Sequence, residues 1–495
     1  MHTIQSLITG LDARMLAGKE DVSVLHVAQH SQRVTKGSLF IARSGVRRDG
    51  SCFIEEAMQQ GAVAILCTPE VAAELKHLPV ACIATHDPTG VGAQIAERFY
   101  GNPSKKLQLV GVTGTNGKTT ISWMLRHVLL QADVKCGLLG TVVCDDGATQ
   151  EESNLTTPSF CDTSKILASM VDNGCQVAVM ECSSHALDQR RTSALTFEIG
   201  VFTNLSGDHL DYHGSPDAYL RAKMKLFDQV KNCSIVNMDD PASWAVADRS
   251  NARVVSCRVE SDAATAWVEV RSETVSGSTI CLHGPWGAVE VVLPLFGRHN
   301  AINALQAATC AFELGVPIRA IVSGLQSVTA PPGRLERVEG ESATVFVDFA
   351  HTDAALEHML WSLREVLPVG GNLIVVFGCG GDRDRSKRSR MGHIASTVGD
   401  FAFATSDNPR SENPQVILDQ VLAGVPSDRL HCVKREVDRK AAIESAIEHS
   451  EPCDIVVIAG KGHERTQILQ HEVIPFDDRE IAAQAIRKRA LEHGV

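Results

Sequence analysis

Aromatic residues are scarce in this chain: 15 Phe, 5 Trp and 3 Tyr make up only 5% of 495 residues. So few rings offer little platform for stacking nucleobases. Basic charge is also in deficit, with 47 Lys and Arg against 59 Asp and Glu and a formal net charge of −12. The overall field repels polyanions, so neither nucleic acid nor an anionic membrane is expected as a partner. An anionic ligand has to be met instead by local basic clusters or backbone amides. No run approaches the roughly 18 apolar residues of a membrane span, and the N-terminus lacks a basic stretch leading into a long apolar one. Neither membrane insertion nor a signal peptide is expected. The 15 cysteines contain no C-x-x-C pair, which removes zinc ribbons and thioredoxin-like sites. Scattered from Cys52 to Cys453, they read as small buried hydrophobes in a reducing compartment, so the expected location is the cytoplasm.

The remainder of the composition, 44% hydrophobic and 21% charged, is that of an ordinary globular protein. The length exceeds what one core supports, and roughly two to four domains are expected. Residues 1–99 mix short apolar segments (SLFIAR, AVAILC, ACIAT) with turn-like stretches such as SGVRRDG, a small α/β unit. Residues 100–331 open with the buried-strand pattern LQLVGV. The glycine-rich turn TGTNGKTT follows, and then a helix on which Ile121, Met124, Leu125, Val128 and Leu129 recur at helical spacing. Strand, turn, helix is the start of a parallel sheet, and the later runs QVAVMECS and FEIGVFTNLS each end in polar residues where such sheets bind ligands. Pro331, Pro332 and Gly333 mark a linker. In residues 332–495 the apolar runs NLIVVFGCGGD, FAFATSDNPR and DIVVIAGKGHE alternate with helical segments such as PQVILDQVLAGV. The expected fold is α/β in three domains, the central one a P-loop-type parallel sheet and the last doubly wound and Rossmann-like.

Gly114, Thr115, Asn116, Gly117, Lys118, Thr119 and Thr120 form a phosphate-binding loop. The glycines let backbone N–H groups turn inward, and the following helix offers its positive end. Lys118 would reach the β- and γ-phosphates and the Thr119 hydroxyl would coordinate Mg²⁺. Val112 stands where the strict pattern has Gly. Glu181 closes a strand, suiting it to a metal ion that prefers oxygen; a solvated loop acid is the plainer alternative.

TGTNGKT at this offset, with the ordered motifs that follow to about residue 470, resembles the Mur ligase and folylpolyglutamate synthetase superfamily. The resemblance implies an ATP-dependent ligase that makes an acyl phosphate and lets an amine displace phosphate. It implies Mg²⁺ at Thr119, Glu181 and His209, and a carbamylated lysine at Lys223, with Lys225 the competing position. Asn300 and Asn303 in PLFGRHNAINALQAA, with Arg334 and Asp348, match ATP contacts. His351 is retained beside them, but relatives read D-Y-A-H-T-P-D where this chain has Phe349 and no Pro. Ser31, Thr156, Thr157, Ser183, Gln189 and Arg191 match contacts to UDP-N-acetylmuramoyl-L-alanyl-D-glutamate. His30 and Gln32 replace the usual Asp and Arg beside Ser31, and Leu155 replaces an Asn.

Arg383, Asp407, Asn408, Pro409, Arg410, Gly460 and Glu464 match the set that holds meso-diaminopimelate. Arg410 offers a rigid fork suited to the second carboxylate, which lysine lacks. Arg385, Lys387, Arg388 and Arg390 read as a solvated basic loop. The implied reaction is addition of meso-diaminopimelate to the D-glutamyl γ-carboxylate of a peptidoglycan precursor by a monomer. Competing expectations are a lysine-adding ligase, a folylpolyglutamate-type ligase and a nucleotide-switched regulator. The last gives Lys223 and Arg410 no role.

Overall fold

Along the strand Leu373–Cys379 successive side chains enter two different cores. Leu373, Val375, Phe377 and Cys379 pack with Leu356, Leu360 and Leu363, whereas Ile374 and Val376 pack with Ile443, Ala446 and Ile486. A strand buried on both faces reads as a continuous apolar run, which is why NLIVVFGC shows no alternation. This is a computed structural model, and it describes residues 2–45, 48–77, 79–153, 155–340 and 342–493. Val46 and Arg47 of the SGVRRDG loop therefore lie outside the described residues.

Contacts divide the chain into two compact units. One comprises Met1–Val268, Leu282–Val289 and Ile302–Leu325, and the other Glu269–Cys281, Glu290–Ala301 and Gln326–Val495. In the second unit six strands run in the order Glu336–Val338, Thr344–Asp348, Ile455–Ala459, Leu373–Cys379, Phe401–Ser406, Val433–Arg435. The first pair is antiparallel and the rest are parallel. Helices such as Asp353–Val366, Ser386–Val398, Pro414–Leu422 and Arg439–Glu448 connect them. This is the doubly wound arrangement, and its parallel strands end together at Asp348, Cys379, Ser406 and Ala459.

Besides the short antiparallel pair of His2–Thr3 with Ser23–Val24, the described residues of the first unit contribute to two larger sheets. In the smaller, Arg14–Ala17 pairs antiparallel with Ala81–Ala84, and Ala62–Cys67, Ser38–Ile41 and His26–Ala28 continue it in parallel. In the larger, Gln108–Thr113 lies between Val177–Glu181 and Phe197–Phe202, all parallel, so Thr113, Glu181 and Phe202 end on one edge. The helix Lys118–Gln131 buries Ile121, Met124, Leu125, Val128 and Leu129 completely, the face its spacing predicts. All fifteen cysteines are free and eleven are buried, in keeping with their reading as small hydrophobes. Among the described residues no helix is long and apolar enough to cross a membrane.

Candidate active site

The turn after Gln108–Thr113 is built so tightly that two of its residues have to be glycine. Gly114 has φ +147°, and a Cβ there would lie 1.8 Å from Thr203 Oγ1. Gly117 has φ +85° and begins the helix Lys118–Gln131; its Cβ would lie 2.6 Å from Asn303 Oδ1. The loop is held from the neighbouring strand end. Thr115 N–H donates to Asn204 O (2.9 Å), Asn116 N–H to Asn204 Oδ1 (2.9 Å), and Thr203 Oγ1 to Asn116 O (2.5 Å). Lys118 Nζ donates back to Gly114 O and Thr115 O at 2.9 and 2.8 Å, and Thr120 follows in the first helical turn.

Glu181 is buried at the adjacent strand end, 1% exposed. Its Oε2 accepts from Thr119 Oγ1 (2.9 Å) and Thr141 Oγ1 (2.9 Å), and its Oε1 from Thr141 N–H (2.8 Å). A buried carboxylate ringed by hydroxyls supplies the oxygen donors that suit Mg²⁺. The plainer reading, a solvated loop acid, is ruled out by this burial.

The structure also separates the two lysines. Lys223 is 1% exposed, donates to Gly114 O at 2.6 Å and sits 4.2 Å from the centre of the Tyr219 ring. Burial drives its ammonium well below the usual lysine range, the Lys118 charge adds to this, and Asp208 opposes it. Lys225 instead pairs with Asp188 at 2.7 Å near the surface. Tyr219 hydroxyl lies 3.2 Å from Thr115 Oγ1, and burial pushes it up to about 12. His209 adopts a left-handed conformation (φ +53°), its ring 4.7 Å from that of His185 and 6.2 Å from Tyr219, with Nε2 3.5 Å from Asp208.

Further along the same edge, Thr157 Oγ1 donates to Glu181 O (2.7 Å) and accepts from Ser183 N–H (3.0 Å). Thr156 Oγ1 accepts from Thr141 Oγ1, Arg191 donates to Thr157 O and to Gln189 Oε1, and Gln189 reaches the Tyr212 hydroxyl. These residues form one strip beginning at Glu181. Ser31 joins it through its turn, since Arg33 binds Asp162 (2.5 Å) in the helix that follows Thr157. Arg43 was not foreseen. It is half-buried, burial lowers its guanidinium, and its charge in turn lowers both Arg191 and His30 after the effect of their own burial. The result is a local basic cluster in an acidic chain.

Asn300 lies in the second unit, where its Nδ2 donates to Phe296 O (2.8 Å). There the Arg334 guanidinium stacks 5.0 Å over the Phe349 ring, so the departure at 349 keeps its aromatic surface. Asp348 accepts from Leu335 N–H (2.7 Å) and Ala350 N–H (2.8 Å). Burial raises its carboxyl, while Arg334 and these amides act the other way. His351 Nδ1 lies 2.8 Å from Phe349 O.

The ends of three parallel strands bring Arg383, Asp407–Arg410, Gly460 and Glu464 together. Asn408 Nδ2 donates to Glu464 Oε2 (2.9 Å), and its Oδ1 accepts from Ile468 N–H (2.9 Å) and Lys461 Nζ (3.1 Å). Gly460, at φ +118°, leaves room for the Asp407 carboxylate, which a Cβ would approach to 2.8 Å. Burial pushes the Glu464 carboxyl up, but Lys461 and its hydrogen-bond donors more than offset this and hold it below the usual range. Among the described residues the Arg410 side chain bonds only through one terminal nitrogen, to Gly381 O at 2.8 Å, leaving the rest of its fork open. Pro409 is buried, and Arg383 is exposed at the rim.

Lys461, fully buried and donating to three oxygens, was missed, although it stands between two residues that were named. Arg388 corrects the expectation of a wholly solvated basic loop. It is 0% exposed and clasps Glu412 with both terminal nitrogens, whereas Arg385 and Arg390 are exposed.

Three family models match in order: "Mur ligase family, catalytic domain" over residues 24–100, "Mur ligase middle domain" over 112–311, and "Mur ligase, glutamate ligase domain" over 333–462. A protein of Gloeobacter violaceus named UDP-N-acetylmuramoyl-L-alanyl-D-glutamate–2,6-diaminopimelate ligase is 42% identical over 485 residues, covering 97% of each chain. Its namesake in Synechococcus elongatus is 40% identical over 500 residues, covering 98% of this chain and 99% of its own. A solved structure of a ligase of that name superposes over 99% of both chains with a TM-score of 0.69 and 27% identity.

Proposed function

The chain belongs to the Mur ligase family, and we propose that it joins meso-diaminopimelate to the D-glutamyl γ-carboxylate of UDP-N-acetylmuramoyl-L-alanyl-D-glutamate at the expense of ATP, in peptidoglycan synthesis. The observation that carries the choice of acceptor is the open, half-buried fork of Arg410, near Arg383 and two residues along from Asn408, which binds Glu464. A cationic fork, a carboxylate and exposed backbone suit a zwitterion with a second carboxylate. Lysine would leave the fork desolvated and unmatched, a difference of roughly 10⁴-fold in favourable cases.

The amides of Gly117, Lys118 and Thr119 at the helix start and the Lys118 ammonium hold the ATP phosphates. The glutamyl carboxylate oxygen attacks the γ-phosphorus, the bond to ADP breaks, and an acyl phosphate forms. The diaminopimelate amine then adds to the acyl carbon, phosphate leaves, and the nitrogen gives up a proton to become the amide. Thr119 and Glu181, with His209, have the donors to hold Mg²⁺, which when bound offsets charge on the transferring phosphoryl group. Lys223 is read as the carbamylated lysine. Its amine, pushed toward the neutral form by burial, adds to CO₂ and releases a proton, leaving a carboxylate-like anion beside the loop. Asn300, Asn303, Arg334 and Asp348 are assigned to ATP. Ser31, Thr156, Thr157, Ser183, Gln189 and Arg191 are assigned to the precursor, and Arg383, Asp407–Arg410, Gly460 and Glu464 to the amino acid. We place domain boundaries near residues 99 and 331 and read the chain as a cytoplasmic monomer.

Phosphate release with ATP and the UDP-muramoyl dipeptide, comparing meso-diaminopimelate with L-lysine, tests the reading. Release with diaminopimelate alone is the expected result. Preference for lysine removes the role given to Arg410, and silence with both removes the reaction.

A further inference from the structure

Two turns face each other beside Arg410, and each contains a non-glycine residue in the left-handed region. In Gly380–Arg383 this is Asp382 (φ +55°), and in Pro409–Glu412 it is Arg410 itself (φ +49°). Such conformations persist only where the surroundings over-determine them, and they cluster at ligand clamps. Here the surroundings are reciprocal. The Asp382 carboxylate accepts from Ser411 N–H (3.1 Å) and Ser411 Oγ (2.7 Å), while Glu412 Oε1 accepts from Asp382 N–H (2.7 Å). Gly381 N–H donates to Asn408 O at 2.9 Å, and a Cβ on Gly381 would lie 1.9 Å from Pro409 O.

Beneath both turns lies Arg388, fully buried on the helix Ser386–Val398. It meets Glu412 through both terminal nitrogens (3.0 and 2.9 Å), Gln420 Oε1 at 2.7 Å and Gly380 O at 3.1 Å. One guanidinium thus holds the first residue of one turn and the last residue of the other. The chain of bonds ends where Arg410 donates to Gly381 O.

We infer that Arg388 and Glu412 are positioning residues for the amino-acid acceptor: they lock the two turns in register, so that Arg410 presents a preset fork to the acceptor's distal carboxylate. The inference rests on the acceptor assignment made above and adds the device that sets its selectivity. A fork held within a fraction of an ångström discriminates; a loosened one admits acceptors without the second carboxylate.

The test uses the full-length enzyme. Glu412→Gln keeps the size and an acceptor for Asp382 N–H but loses the charged two-pronged contact with Arg388. Its KM for meso-diaminopimelate should rise about 10-fold and its selectivity over L-lysine should fall about 10-fold, with KM for ATP and the UDP-dipeptide within about 2-fold. Ser411→Ala, a change at the exposed rim that should not threaten folding, should move the same two quantities by about 3-fold. In an Arg410→Lys background Glu412→Gln should add less than about 2-fold, because its effect passes through Arg410. A merely structural tie predicts otherwise: less folded enzyme, proportionate loss of kcat, and unchanged KM and selectivity. That result overturns the lock. A wild-type enzyme indifferent to the two amino acids overturns the acceptor assignment itself, whereas a selective wild type with unaltered variants overturns the lock alone.

Discussion

Lys223 and Lys461 are both buried to 1% exposure or less, one in each unit, and their surroundings differ completely. Lys461 donates to Asn408 Oδ1, Glu464 Oε2 and Thr466 O, so all three of its N–H groups are used and one partner is a carboxylate. Lys223 donates to one carbonyl, faces an aromatic ring and has Lys118 as a neighbouring cation. Burying a charge is costly unless it is paired and hydrogen-bonded. The first lysine meets that condition and acts as a brace. The second does not, and is pushed toward the neutral amine that the proposed carbamylation needs. Burial alone therefore says nothing about role; the count and charge of the acceptors decide it.

The same substitution at both positions should break the pair apart. Lys223→Met should lower ATP-dependent phosphate release at least about 10³-fold while raising stability by about 1 kcal/mol in urea unfolding near neutral pH in CO₂-free buffer. The native amine titrates below its unfolded value, so the unfolded chain binds a proton that the native one does not. The wild type therefore loses stability as pH falls below the unfolded value of roughly 10.4, and the loss levels off below the native value. Lys223→Met should lack this slope, and an unchanged slope would refute the assignment of a strained neutral amine. Carbon-13 bicarbonate should give a carbamate resonance in the wild type that the variant lacks.

Lys461→Met should act in the opposite sense, costing about 3 kcal/mol or more, because Glu464 is left partly buried without its cation. A variant as stable as wild type would remove the distinction. Glu181→Gln should reduce phosphate release about 100-fold with the unfolding midpoint little changed, which places the effect in the site and not in the fold. The smallest effect is expected at Lys225→Ala. That lysine makes a surface pair with Asp188, so stability should change by less than about 1 kcal/mol and phosphate release by less than about 2-fold.

The phosphate loop was legible because its parts are contiguous. The strand Gln108–Thr113, two glycines with positive φ, and a helix with five apolar residues on one face all follow one another in the chain. The buried strands of the second unit were legible for a similar reason, as apolar runs ending in polar turns. The residues missed share another property, that their roles depend on neighbours remote in sequence. Thr141 caps Glu181 from 40 residues away, and Arg388 meets Glu412 across 24. Arg43 lowers Arg191, which lies far along the chain. A run of basic residues does not reveal which one turns inward, and Arg388 looks like Arg385 until the helix is packed.

From the chain alone come the α/β class, the strand-end position of both sites, the phosphate loop, the family resemblance and the candidate ligands, because local pattern and composition encode them. Tertiary structure decided what those side chains do. It buried Glu181 among hydroxyls, set Lys223 against the loop with a single acceptor among the described residues, left Lys225 half-buried in a surface pair, enclosed Lys461 in oxygens and joined the two turns around Arg410 through Arg388. Burial, acceptor count and nearby charge depend on residues that only folding brings together, and they set protonation and rigidity.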